Sequence, residues 1–206
     1  MARGRAKGYD EQREAILARA GELFANQGYH ATSMNQLAEA CGLSKATLYH
    51  YCRDKDALLA SIADGHVSRL QALVAEVQAQ RLKPEAHLRE LVRRIVAEYA
   101  DAQHAHRVLT EDVKFLQPDD RRRILDKERT VVAGFAQALI ALRPELQAAS
   151  LAKPLTMLLF GMINWMFTWV KPGGALNHEA LAPIVADLLL GGLPAVRLPQ
   201  AAALHV

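Results

Sequence analysis

The chain has 206 residues, 51% hydrophobic and 23% charged, with 25 basic against 22 acidic side chains and a net charge of +3. This composition excludes a disordered or fibrous protein, and the length suffices for a core without metal or disulfide staples. Ala (36) and Leu (30) dominate and Val-Ile-Thr alternation is nearly absent, so an all-α fold is expected and a β-sandwich or barrel is excluded. Cys41 and Cys52 show no disulfide framework, and the polar opening MARGRAK does not read as a signal peptide. A cytoplasmic location is expected.

Arg3, Arg5 and Lys7 form a basic stretch ahead of Tyr9. It reads either as a solvated terminus or as an arm that touches phosphate or a minor groove. Over 10–26 the apolar residues Ala15, Ile16, Ala20, Leu23 and Phe24 recur at helical spacing, and Gly28 ends the helix. Thr32 or Ser33 supplies the cap of a short helix, Met34–Ala40, and Gln36 stands three after Ser33 as in a capping box. Cys41-Gly42-Leu43 is a tight turn, and Ser44 caps Lys45–Tyr51. Asp54 caps a helix over 55–80 with Leu58, Leu59, Ile62, Val67, Leu70, Leu73 and Val77 as its apolar stripe.

Pro84 stands at the start of a helix over 85–102. A shorter one follows over 107–116, and a long one, Pro118–Leu142, stops at Arg143-Pro144. Another spans 151–170 and ends at Lys171-Pro172-Gly173-Gly174. The last covers 178–190. The expectation is nine helices, no strand and no internal repeat. They divide into an N-terminal domain over 8–55 that holds the first three helices, a larger helical domain over 56–195, and a tail over 196–206.

Residues 154–170 are seventeen uncharged positions, short of the roughly 20 needed to cross a bilayer, so no membrane partner is expected. A helix apolar on every side is buried on every side. One side can face its own core and the other a second subunit, which points to a homodimer.

Residues 33–51, SMNQLAEACGLSKATLYHY, have the form of a helix-turn-helix. Leu37 and Ala38 face inward, Gly42 takes the turn, Leu43 fills the corner, and Leu48 faces the core. That leaves Lys45, Ala46, Thr47, Tyr49 and His50 outward. Small, polar and aromatic residues exposed on a second helix are what a major groove accepts.

Residues 13–59, through ILARAGELFANQGYHATSMNQLAEACGLSKATLYHYCRDKDALL, resemble the N-terminal domain of TetR-family transcriptional repressors. Two departures stand out: Leu37 where Ile is frequent, and Cys52 where Phe is frequent. The resemblance implies that Lys45, Thr47, Tyr49, His50 and Tyr51 face DNA, and that Lys55 meets phosphate at the start of its helix. The first turn of a helix favours an anion. Thr47 can offer a hydroxyl or methyl to a base edge, whereas tyrosine hydroxyls reach phosphate oxygens and fix register. Tyr51 reads equally as a packing residue. Ser33, Ser44 and Ala46 complete the expected DNA-binding set.

The stretch 157–170, MLLFGMINWMFTWV, is similar to a TetR subgroup that controls degradation of fatty, aromatic or steroid acids. The resemblance implies release from DNA by a small hydrophobic effector, with acyl-CoA thioesters as the candidate class. Leu158, Met162, Trp165, Met166 and Trp169 share one helical face. Met162, Trp165, Met166 and Trp169, with Phe115, are the expected ligand walls, ordinary core or dimer packing being the plainer alternative. Arg121, Arg122 and Arg123 are candidates for an anionic head group. Helix 178–190 offers Leu181, Ile184, Val185, Leu188 and Leu189 to a four-helix interface across a two-fold axis.

His104 and His106 with Asp101, Glu111 and Asp112 are the one cluster of metal-ligand types. They lack a closed tetrahedral set, so no metal is expected. Phosphate loops, nucleophile elbows and paired catalytic carboxylates are absent, so no cofactor or enzyme activity is expected. Two other readings compete with a ligand-controlled repressor. One is a DNA-binding regulator without a small effector, the other a helical lipid or ligand carrier that does not bind DNA.

Overall fold

Local capping chemistry places the first helices of the chain. The computed structural model describes residues 2–170 and 176–199, with side chains from residue 8 onward. Among the described residues there are ten α-helices and no strand. They are α1 (Ala2–Gln27), α2 (Met34–Ala40), α3 (Lys45–Tyr51), α4 (Lys55–Ala79), α5 (Pro84–Asp101), α6 (Gln103–Glu111), α7 (Pro118–Leu142), α8 (Glu145–Ala148), α9 (Ala152–Asn164) and α10 (His178–Gly192). Short 3₁₀ turns occupy Val113–Phe115, Met166–Thr168 and Leu193–Ala195. The backbone carrying Arg3, Arg5 and Lys7 belongs to α1. Their side chains, the expected turn at 171–174 and the tail from residue 200 lie outside the described residues.

The chain packs as two compact units, each built from two stretches of sequence. The first holds Met1–Ser68 and Ala102–Leu125, the second Arg69–Asp101 and Asp126–Val206. Within the first unit α6 lies against α1. There Ile16, Phe24, Leu37, Leu48 and Leu59 are fully enclosed. Removing each such side chain from water is worth about 1.5–3 kcal/mol. His66 of α4 and His106 of α6 are buried together, with Nε2 and Nδ1 3.4 Å apart. Arg123 ties the start of α7 to α4 by pairing with Asp64 at 3.2 Å, and also pairs with Asp120 of its own helix at 2.7 Å.

In the second unit α5 packs along α10. Leu88, Leu91, Val92 and Ile95 of α5 are buried, as are Leu181, Val185 and Leu189 of α10. Arg89 adds an exposed bond to Asp187 at 2.7 Å. Phe135 of α7 meets Phe160 of α9 edge to face at 5.1 Å. Gly134 lies so close to Val74 that a methyl group there would overlap the valine side chain. Arg143 donates to the carbonyls of Leu193 and Val196 at 2.7 and 2.8 Å, which fastens the chain after α10.

Three expectations change. The helix expected over 107–116 starts earlier as α6, behind Ala102, which supplies no side-chain cap, and ends at Asp112 before a 3₁₀ turn. The helix expected over 151–170 stops at Asn164 and continues as 3₁₀, a common tightening of a last turn. The short α8 was not expected. It closes with a Schellman motif in which Ser150, at φ 56°, takes the left-handed position usually held by glycine. The Ser150 and Leu151 amides donate to the carbonyls of Gln147 and Leu146.

Candidate nucleic-acid interface

Ser33, one of the two cap candidates, caps α2. Its hydroxyl accepts from the Gln36 amide at 3.3 Å, and the Gln36 side chain accepts from the Ser33 amide at 2.8 Å. Thr32 is buried and donates instead to the Gly28 carbonyl at 2.9 Å. Gly42, at φ +64°, ends α2, with the Gly42 and Leu43 amides closing on the Glu39 and Ala38 carbonyls. Ser44 then caps α3, its hydroxyl accepting from the Thr47 amide at 3.1 Å and lying 2.7 Å from the Thr47 hydroxyl. Two capped short helices are thus held across one glycine turn.

Leu48 is the single fully buried residue of α3. Lys45, Ala46, Thr47, Tyr49 and His50 are exposed, with Tyr51 half-buried. The outward set expected from the sequence is therefore gathered on one short helix. Ser33 and Ser44 are also exposed, but each hydroxyl is already engaged in a cap.

Tyr9, which the sequence reading did not place in the site, joins α3 from α1. Its ring stacks on Tyr51 at 4.8 Å and meets His50 edge-on at 5.9 Å. No local signal pairs residues this far apart in the chain.

Lys55 stands at the start of α4, where its ammonium donates to the carbonyls of Tyr29 and Thr32 at 2.8 and 2.9 Å and lies over the Tyr29 ring. It braces the connection between α1 and α2. The Tyr29 hydroxyl donates to Asp56, whose other oxygen accepts from Gln117 at 3.1 Å. Burial, then the bond to Asp56, pushes the Tyr29 hydroxyl well above its ordinary range. Asp54 caps α4 by accepting from the Ala57 amide at 2.7 Å. That bond, then Arg53, holds its carboxyl below the usual range.

Cys52 lines a cleft of about 130 Å³ with Arg13, Ile16, Tyr51 and Leu58. Burial raises the thiols of both Cys52 and Cys41.

The expected ligand walls fall in both units. Phe115 belongs to the first unit, stacked on Tyr29 at 5.8 Å and edge-on to His30 at 4.2 Å. In the second unit Met166 is buried, whereas Met162, Trp165 and Trp169 are exposed, the tryptophans by 60% and 53%. The Arg121–Arg123 run does not converge either, since Arg122 and Arg123 pair with acids of their own helix. Among the described residues no group of three or more His, Cys, Asp or Glu side chains could hold a metal. No described helix is long and apolar enough to cross a membrane.

Residues 16–62 match the family model "Bacterial regulatory proteins, tetR family", and residues 81–193 match "Tetracyclin repressor-like, C-terminal domain". Among curated proteins the chain is similar to the transcriptional repressor KstR2 of Rhodococcus jostii, 27% identical over 90% of this chain and 93% of the relative. A shorter match, 32% identical over 48% of this chain and 43% of the relative, is to the transcriptional activator FasR of Mycolicibacterium smegmatis. The crystal structure of a TetR-family regulator from Bordetella parapertussis superposes with a TM-score of 0.84 and 35% identity, covering 90% of this chain and 97% of that one. AibR, solved in complex with isovaleryl coenzyme A and operator DNA, shares the fold with a TM-score of 0.74 and 24% identity over 86% of this chain and 97% of its own. With both its helix-turn-helix and its C-terminal region matched, the chain belongs to the TetR family of DNA-binding transcriptional regulators, and it is not an enzyme.

Proposed function

We propose that the protein is a repressor that binds a near-palindromic operator as a homodimer and is released by a small hydrophobic effector. The observation that carries the dimer is the outer surface of α9 and α10. These helices pack on one another and, with Trp165 just after α9, leave Leu158, Trp165 and Leu188 at least 60% exposed, and Met157, Met162 and Ile184 are exposed as well. Contiguous apolar surface of this kind marks an interaction face. An isologous pairing of two copies covers it and sets two α3 helices about one duplex turn apart, roughly 34–36 Å. Trp165 and Trp169 thereby move from the expected pocket to the subunit interface.

Lys45 and Thr47 read base edges in this arrangement, and Tyr49, His50 and Tyr51 meet the backbone. The choice of effector class, though not its release of DNA, draws on AibR, a protein of the same fold solved in complex with isovaleryl coenzyme A and operator DNA. An effector that prefers the conformation with mismatched α3 spacing weakens operator binding by the difference in its two affinities.

The experiment has two arms. Light scattering at micromolar concentration reads the dimer, and a monomer there overturns it. Titrating short-, medium- and long-chain acyl-CoAs and phenylacetyl-CoA into a complex with a selected duplex reads release. If none dissociates the complex, the acyl-CoA class falls while the DNA-binding regulator stands.

A further inference from the structure

Three aromatic rings meet at the end of the recognition helix, and one of them comes from outside the helix-turn-helix. Tyr9 lies on α1, ahead of the segment 16–62 matched by the family model. Its ring is nearly parallel to Tyr51, with 4.8 Å between centroids and 25° between planes. It stands edge-on to His50, and His50 stands edge-on to Tyr51 at 5.5 Å. Each ring therefore touches the other two.

The geometry matters because of where these rings sit. Tyr51 is the last residue of α3, a helix of only seven residues, and Cys52 beyond it is extended. A helix end this short leaves its terminal side chains free to change rotamer unless something holds them. Offset and edge-to-face contacts hold aromatic rings in defined orientations. At the opposite end the Ser44 cap holds the amide and hydroxyl of Thr47. Tyr9 supplies the corresponding constraint at the C-terminal end.

We propose that Tyr9 is a positioning residue for operator binding: by stacking on Tyr51 and bordering His50 it fixes both side chains of α3 in the orientation that meets the DNA backbone. Tyr9 contributes a flat ring, and its hydroxyl is not needed. The effect runs through Tyr51. This rests on the DNA-binding reading of α3, and the experiment separates the two.

A duplex recovered by the wild-type protein from a random-sequence pool is the probe. Affinities of the full chain are measured by fluorescence anisotropy for Tyr9→Phe, Tyr9→Leu and Tyr9→Ala, each also in a Tyr51→Ala background. Circular dichroism melts accompany every variant. Tyr9→Phe keeps wild-type affinity, whereas Tyr9→Leu and Tyr9→Ala weaken binding roughly 2- to 10-fold, the range that an aromatic pair supports. In the Tyr51→Ala background the same changes have little further effect. Ile62→Val, a mild core change on α4 away from these rings, lowers the melting temperature without lowering affinity. Full affinity for Tyr9→Ala overturns the proposal, and so does an equal loss with and without Tyr51, which marks a merely structural role. Should the wild-type chain recover no duplex, the DNA-binding reading of α3 falls first and this inference with it.

Discussion

The Lys55 ammonium lies 4.4 Å over the centre of the Tyr29 ring while donating to the Tyr29 carbonyl at 2.8 Å. One cation thus holds both the backbone and the side chain of a residue in the connection between α1 and α2. Removing it by Lys55→Met leaves two part-buried carbonyls without this donor. The expected loss is about 2 kcal/mol of stability, read by urea unfolding. Binding to specific and random DNA then weakens together as the connection between α1 and α2 loosens. If stability is unchanged and the salt slope alone falls by roughly one counterion, Lys55 meets phosphate after all.

Thr47 and Ser44 separate readout from architecture. Thr47→Ala changes sequence preference at one base step by about 1–3 kcal/mol. Ser44→Ala removes the α3 cap and costs about 1 kcal/mol of stability. Selection from a random pool checks the first and thermal unfolding the second. An unchanged preference in Thr47→Ala removes Thr47 from base readout.

Filling the cleft beside Cys52 is expected to stabilise the first unit. Cys52→Phe adds a ring against Ile16 and Leu58, both lining that space, for a gain of about 1 kcal/mol given its partial exposure. A lower unfolding midpoint means that the ring is too large for the site.

Gly134 and Val74 make a close crossing of α7 and α4 inside the second unit. Gly134→Ala forces the valine aside at a cost of about 1–3 kcal/mol, and Val74→Ala in the same chain recovers part of it. The double-variant cycle by urea unfolding is the check. Additive losses mean that the two residues do not press on each other.

Two carboxyls give opposite pH dependence. Burial raises Glu128 above its ordinary value, so the folded state holds its proton longer and stability falls as pH rises from about 4.3 through the folded value. Glu128→Gln removes that fall and unfolds later at neutral pH. Asp54 is held low by its cap bond. Its contribution is present above about pH 3.9 and is lost as pH falls through the lower folded value. Stability profiles of Glu128→Gln and Asp54→Asn against pH distinguish the two directions.

Leu188→Asp and Trp165→Asp place charge on the exposed faces of α10 and α9. Either is expected to yield a monomer at micromolar concentration that keeps its helical spectrum and loses tight operator binding. Light scattering and anisotropy together decide this. A variant that stays dimeric moves the interface elsewhere.

Much of the head was legible because its signals are local. Ser33 with Gln36, Gly42 and Ser44 act within a few residues of themselves, and α2 and α3 begin and end where these signals place them. The start of α7 at Pro118 and its stop before Pro144 are equally local. Alternation of apolar positions also identified Leu37, Ala38 and Leu48 as inward, since helical periodicity alone assigns a face. The junction of α5 and α6 carries no cap, and Ser150 does the work of a glycine, so neither left a mark that sequence reading could use.

The sequence by itself determined an all-helical chain with a capped helix-turn-helix, because propensity, capping and periodicity depend on neighbours a few residues away. Only the tertiary structure decided what Lys55 holds, that Tyr9 reaches Tyr51, and that α6 and Phe115 pack with the head. It also decided that Met166 turns inward while Trp165 and Trp169 face out. These outcomes depend on contacts between residues distant in the chain, and one helical face does not reveal which partner will cover it.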